Sequence, residues 1–550
     1  MQQAETIWHN GRVLTGDMAN PAAEALAVRE GRLLAVGSSA EILNLAGPET
    51  KLHDLQGRFV MPGLVESHTH ALWGACRSLY DIYVGYGATL DQLLAAVKER
   101  AESLPAGKIV YGGPWQHDMR AEMGSNPRAL LDQISTEHPI ILADTSQHLV
   151  WCNSLALALG GVTKDSPVPE GGVMERDPAS GAPNGILAES ATASVRALIT
   201  RSKDEMAEAV CYFVKYFNSM GFTAFKEPMA YETELSTYFE ADKRGDLTLH
   251  TAAHIVRTSP LGEQAVPYEV MERLRREYRS ENLHTDFAKL FLDGVAPGFT
   301  ASFLDPYLAE SGYDVASHDP DATLLLAPED LSATVAELDR RGFVVKMHAV
   351  GDNAIRRGLD AIEAARKANG ASGLRHEIAH TNYVSDADLG RFAALGAIAE
   401  MSPKMWFPNP ATPIQTALLG ADRVHKNHRI ADLLAAGAEL AYGSDWPAAA
   451  PDANPWSGLS GMLTRQNADK AYPGILNAEQ AISLEQALPI FTINGARTLR
   501  MEDQTGSLKA GKWADFIVLD APLAELAPQE IADMQVRQTV WKGQLVHALD

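Results

Sequence analysis

The sequence predicts an α/β chain: a (β/α)8 TIM barrel with a small β-sandwich domain built from both termini and an inserted cap after strand 1. Three observations carry this expectation. From residue 202 onward, segments of 3.6-residue period alternate with short apolar runs. Both ends of the chain read instead as short strands separated by turn residues. The polar residues of the central runs cluster at their C-terminal ends, where parallel barrels carry their catalytic groups. The expected division is a sandwich over 1–60 and 501–550, a barrel over 61–500, and a cap over 75–201.

The N-terminal strands are Thr6–Asn10, Gly11–Thr15, Ala25–Arg29 and Gly31–Gly37, and the C-terminal ones are Asp515–Asp520 and Val536–Val546. The run Phe59-Val-Met-Pro-Gly-Leu-Val-Glu-Ser-His-Thr-His70 supplies barrel strand 1. The stretch after it does not alternate strand and helix regularly. It carries a helix over Leu90–Ser103, a strand over Pro139–Asp144 and a hairpin around Asp177–Gly181, and reads as elaborate loops. A capping box, Ser202-Lys-Asp-Glu205, then opens a helix. Strands 2 to 8 follow at 221–226, 247–254, 286–293, 342–348, 374–380, 397–400 and 439–445. Asp352 and Ser385 are expected to cap helices, and the long connection from Gly294 to Pro328 suits a lid or pocket wall.

Composition excludes several function classes. Lysine and arginine total 47 against 70 acidic residues, a formal charge of -23, and no basic run stands out. That argues against nucleic acid or an anionic membrane as partner and leaves a small-molecule substrate. Three scattered cysteines, Cys76, Cys152 and Cys211, suit reduced thiols, and no apolar stretch reaches the roughly 18 residues of a membrane span. A cytoplasmic protein is expected.

The chemistry sits at the strand ends. His68 and His70, at i and i+2, point the same way from a strand and can reach one ion. His348 ends strand 5, His380 ends strand 6 and Asp445 ends strand 8, while Lys289 lies within strand 4. Imidazoles with a carboxylate suit a divalent metal, most readily zinc, with manganese, iron or cobalt as alternatives. Such an ion brings the pKa of bound water towards about 7, and Asp445 could take that proton and pass it to the leaving group. The expected reaction is hydrolysis of a carbonyl-type bond.

Met61-Pro-Gly-Leu-Val-Glu-Ser-His-Thr-His70, Lys346-Met-His-Ala-Val-Gly-Asp352, His376-Glu-Ile-Ala-His380 and Gly443-Ser-Asp-Trp-Pro447 resemble the amidohydrolase superfamily. Within it they resemble the amidohydrolase-3 branch of YtcJ-like and N-substituted formamide deformylase-like hydrolases. The resemblance runs through Thr505–Asp515 and covers nearly the whole chain. It implies a centre of one or two ions held by His68, His70, His348, His380 and Asp445, and a homo-oligomer. Ala288-Lys-Leu-Phe-Leu-Asp-Gly294 resembles the branch's strand-4 motif, which makes a carboxylated Lys289 the bridging group. A buried ammonium is costly, and carboxylation would turn it into an anion. Lys226, at the end of strand 2, is a rival. Glu66 departs from the aspartate common at that place.

Trp115, His117, His148, Lys226, His254 and Trp406 are candidate substrate contacts, with Phe407 beside the last. The expected activity is cleavage of an amide C–N bond in an N-substituted small molecule. Lactone or ester hydrolysis, cyclic imide hydrolysis and deamination would use the same site, and a barrel scaffold without chemistry is the remaining alternative.

Overall fold

The computed structural model describes residues 2–85, 87–145, 149–169, 172–258, 264–405, 407–409, 411–448 and 450–549, without the side chains of 117, 118 and 405. The chain divides into two compact units, one formed by 1–71 with 210–550 and the other by 72–209.

The first unit holds the barrel. Its strands are β1 (Leu64–Glu66), β2 (Phe222–Ala230), β3 (His250–Val256), β4 (Leu283–Phe291), β5 (Val344–Ala349), β6 (Glu377–His380), β7 (Ile398–Met401) and β8 (Glu439–Tyr442). They pair in parallel in that order within one eight-stranded sheet. The Ser67 amide donates to the Tyr442 carbonyl at 2.8 Å and joins the two ends of the sheet. Parallel strands covered on both faces read as continuous apolar runs, and every residue of β3, β6 and β7 is buried.

The same unit contains the sandwich. Strands Phe59–Pro62 and Phe516–Leu519 pair antiparallel in a six-stranded sheet, so the two ends of the chain share hydrogen bonds. The second, four-stranded sheet is formed by 4–9, 25–29, 32–37 and 46–54. Trp8, Leu26, Val60, Phe516 and Val540 belong to one apolar core within this region.

Strand 1 differs from the sequence expectation. Phe59–Pro62 belongs to the sandwich, Gly63 intervenes, and the barrel strand ends at Glu66. His68 and His70 therefore lie beyond the strand, and strict alternation of side chains is not what brings them together. Gly63 is needed for close packing: a Cβ there would stand 2.3 Å from the Thr223 side chain.

Helix starts differ too. Gly351, not Asp352, is the cap residue of the helix Asp352–Asn369, and Asp352 Oδ1 instead accepts from the Leu304 amide at 2.8 Å. Ser385 donates to Asp388 at 2.6 Å, ahead of a helix that begins at Leu389. Each carboxylate or hydroxyl found a tertiary or loop partner in place of the orphan amides of its helix. The connection after β4 is a packed wall. Phe303 and Tyr307 from it bury against Val350 and Tyr383. The Asp293 carboxylate, fully buried, accepts from the amides of Ser302, Val350 and Gly351 at 2.9–3.0 Å.

At the base of the barrel, Asp339 on the helix Pro328–Arg340 accepts from His376 Nε2 at 3.0 Å, from Ser372 at 2.6 Å and from Arg366 at 3.0 Å. His376 Nδ1 in turn accepts from the Val345 amide at 3.0 Å.

The second unit is a mixed six-stranded sheet, in the order 172–176, 183–189, 149–152, 140–144, 110–115, 82–83, with apolar clusters of its own. The predicted helix Leu90–Ser103 and the hairpin closed by Asp177 and Gly181 are present. The segment is thus an ordered sheet unit where the sequence suggested mainly loops.

Candidate metal centre

The two signature motifs at the barrel mouth are zipped together by backbone. The Asp445 amide donates to the His68 carbonyl at 2.8 Å, and the His70 amide donates to the Trp446 carbonyl at 2.8 Å. Beneath them Glu66 Oε1 accepts from the amides of His68 and Ser444 at 3.0 and 2.9 Å. Two segments some 375 residues apart by number are thereby held as one surface.

Asp445 Oδ1 lies 3.5 Å from His68 Nε2 and 3.4 Å from His70 Nε2. Ligand atoms of His68, His70 and Asp445 all fall within 4.8 Å of one another, as do those of His68, His380 and Glu400. The His380 ring is 4.7 Å from the rings of both His68 and His348, so one continuous cluster contains all four imidazoles. His348 Nε2 lies 3.2 Å from the Gly294 carbonyl, which takes that N–H and leaves the lone pair on Nδ1. Asp445 and His380 both adopt left-handed backbone, at φ 54° and 69°. Such conformations cost non-glycine residues on the order of 1–3 kcal/mol and gather at functional sites.

The electrostatics fit a cation. Burial, reinforced by Lys346 and Lys289, holds His68 well below the ordinary imidazole value, and burial with Lys289 pushes His348 down to about 3. Burial and the neighbouring His348 depress His380 in the same way. Neutral imidazoles are the form that ligates metal. His70 is the exception, raised to about 9 because Asp445 and Glu227 outweigh the burial that would lower it. Lys289 is wholly buried, its Nζ has no hydrogen-bond partner, and it rests 4.7 Å from the Phe291 ring centre. Burial first, and Lys346 second, lower it to about 7. An orphaned lysine beside a cluster of donor atoms is what a site meant to receive a carbamate and a cation would contain.

The structure assigns different places to the other candidates. Lys226 is fully buried, pairs with Glu377 and donates to the Thr498 carbonyl at 2.8 Å. It is an interior ion-pair residue, 4.6 Å from the Phe287 ring centre. Trp115 is 1% exposed in the core of the second unit and donates Nε1–H to the Leu142 carbonyl at 3.1 Å. His254 is buried, with Nδ1 3.1 Å from the Glu227 carbonyl and its ring against Phe287. Phe407 is buried, and Gly461 leaves the space it fills. The His117 side chain, His148 and Trp406 lie outside the described residues.

Three charged residues of the site escaped the sequence reading. Glu400, on β7, places Oε2 2.5 Å from His68 Nδ1. Lys346, on β5, donates to Glu400 at 2.9 Å and lies 3.2 Å from Glu377. Glu227, on β2, lies 3.5 Å from His70 Nδ1. Their one sequence signal was a charge inside an apolar strand.

An amidohydrolase family model matches residues 51–547. The chain belongs to the amidohydrolase family. It is similar to the putative amidohydrolase YtcJ of Bacillus subtilis, 26% identical with 99% of each chain covered. It is 28% identical to the N-substituted formamide deformylase of Arthrobacter pascens, over 99% of this chain and 98% of that one. Protein LONG AFTER FAR-RED 3 of Arabidopsis thaliana is 29% identical over 94% of this chain and 87% of its own. Among solved structures, an uncharacterized metal-dependent hydrolase from Pyrococcus horikoshii OT3 superposes with a TM-score of 0.73 at 23% identity, over 98% of this chain and all of that one. This amidohydrolase is therefore a hydrolytic enzyme by family, and its barrel mouth carries a donor set suited to metal. No helix among the described residues is long and apolar enough to cross a membrane.

Proposed function

We propose that this amidohydrolase cleaves the amide C–N bond of an N-substituted small molecule at a zinc centre, with Asp445 moving the proton. The observation that supports this most directly is the convergence of His68 Nε2 and His70 Nε2 on one oxygen of Asp445. The amide reading draws on the similarity to the formamide deformylase of Arthrobacter pascens.

The groups that would hold the metal are His68, His70, His348, His380 and Asp445, and Lys289, if carboxylated, would add an anionic ligand. A divalent cation at such a site supplies Lewis acidity that brings water towards a pKa of about 7 and polarises a carbonyl. To form the carbamate, the neutral Lys289 amine would attack carbon dioxide: an N–C bond forms as one C=O π bond of carbon dioxide becomes C–O−, and the displaced amine proton passes to water. Asp445 Oδ accepts the proton of the attacking water and delivers it to the departing nitrogen. The left-handed backbone at Asp445 fixes that carboxylate between the two histidines.

Purified protein loaded with zinc should be assayed against panels of N-substituted amides, lactones, cyclic imides and aminated heterocycles. Turnover confined to the amide panel is expected. Turnover confined to lactones or aminated heterocycles would overturn the C–N amide reading, and full activity after exhaustive chelation would overturn the metal.

A further inference from the structure

His68 and His70 meet the barrel wall in the same way through different partners. Each turns Nε2 toward Asp445 Oδ1, and each has a buried carboxylate at Nδ1: Glu400 for His68 and Glu227 for His70. Among the described residues, the other groups bonded to those carboxylates are donors. Glu400 Oε2 accepts from Lys346 Nζ at 2.9 Å; Glu227 Oε2 accepts from the Tyr238 hydroxyl at 2.8 Å, and Oε1 from the Met229 amide at 3.3 Å. Lys346 is itself anchored by Glu377 and by the Ser67 carbonyl. Each carboxylate accepts, so each Nδ1 carries a hydrogen; on His68 that leaves the lone pair on Nε2, whereas the His70 ring stands between two carboxylates, Glu227 at Nδ1 and Asp445 at Nε2.

We infer that Glu400 and Glu227 are positioning residues that hold a hydrogen on Nδ1 of His68 and His70 and so aim Nε2 of each ring at the site, and that Lys346 serves this through Glu400. This rests on the metal reading given above, but the two Nδ1 contacts exist before any ion arrives. Two independent backings explain how a loop beyond the end of β1 can present two rings in fixed register. Partners of this kind behind metal-ligating histidines are commonly worth about 10- to 100-fold in metal affinity.

The test uses full-length, metal-free protein labelled with 15N-histidine, its His68 and His70 signals assigned with His68→Gln and His70→Gln. Wild type should show a hydrogen on Nδ1 of both rings. Glu227→Leu should release His70 alone, and Glu400→Leu combined with Lys346→Met should release His68 alone. Competition with a chelator should then show zinc affinity falling about 10- to 100-fold in each folded variant, with Glu227→Gln, which keeps an accepting oxygen, within about threefold of wild type. Unchanged tautomers in folded variants, or zinc affinity unchanged in both, would overturn the inference. If the double variant does not fold, the Glu227→Leu arm decides, since it removes no lysine's partner. Wild type that shows both Nδ1 hydrogens but binds no zinc would refute the metal reading and leave the positioning role standing.

Discussion

A methyl group on Gly443 would stand 2.5 Å from the Cβ of His68, closer than Cβ atoms approach one another in folded proteins. The same methyl would sit 3.0 Å from Glu400 Oε1. Gly443→Ala must therefore push His68 away from Asp445 or open the end of β8. Overpacking of this kind costs about 1–3 kcal/mol. Thermal melting should show a folded but weakened protein, and a zinc titration should show affinity lowered at least about tenfold.

Asp445→Asn keeps the size of the side chain and an oxygen that can face the ion, and removes its capacity to take a proton. Turnover should fall by about 10²- to 10⁴-fold while most of the metal is retained. Elemental analysis beside steady-state kinetics checks both halves, and an active Asp445→Asn variant would sink the proton-transfer role.

Lys289→Met removes the carbamate but fills the same apolar surroundings. Zinc-loaded wild type prepared with 13C-bicarbonate should give a carbamate resonance that the variant lacks, together with lower zinc content. A bare amine remote from metal in a high-resolution density map would refute the bridge.

Asp339 supplies the pH dependence of the scaffold. Its burial would raise its pKa, but hydrogen bonds from His376, Ser372 and Asn369 outweigh that and hold it well below the ordinary 3.8. A carboxyl group depressed on folding stabilises the native state above its unfolded pKa, and that stabilisation is lost as pH falls through the unfolded value towards the folded one. Asp339→Asn should thus cost roughly 2 kcal/mol near neutral pH. The gap from wild type should close as pH falls below about 4, as measured by urea melts across pH.

Much of the barrel was legible because strands buried on both faces must be apolar, and a charged or imidazole group at the end of such a run stands out. His348, His380 and Asp445 were visible in this way. Glu400, Glu227 and Lys346 were not, because a charge within a strand looks the same in sequence whether it faces solvent or a partner. Only the register that sets Lys346 beside Glu377 across β5 and β6 makes the interior ion pairs plain. The segment before Trp115 shows the opposite case. The Gly-Gly-Pro before it reads as a loop, but residues 110–115 pair as a strand on 140–144. In 72–209 the strands are short and mixed in direction, so neither a helical nor a βα period emerges.

The pairing of Phe59–Pro62 with Phe516–Leu519 also orders events in time. Those four residues lead through Gly63 into the strand that precedes His68 and His70, and their antiparallel partner leaves the ribosome some 450 residues later by number. At about 5–20 residues per second, the histidine loop waits roughly 20–90 s in a nascent chain before the sheet that anchors it can close. Until then the strand that leads into the His-x-His loop lacks the sandwich partner that pairs with the residues before it.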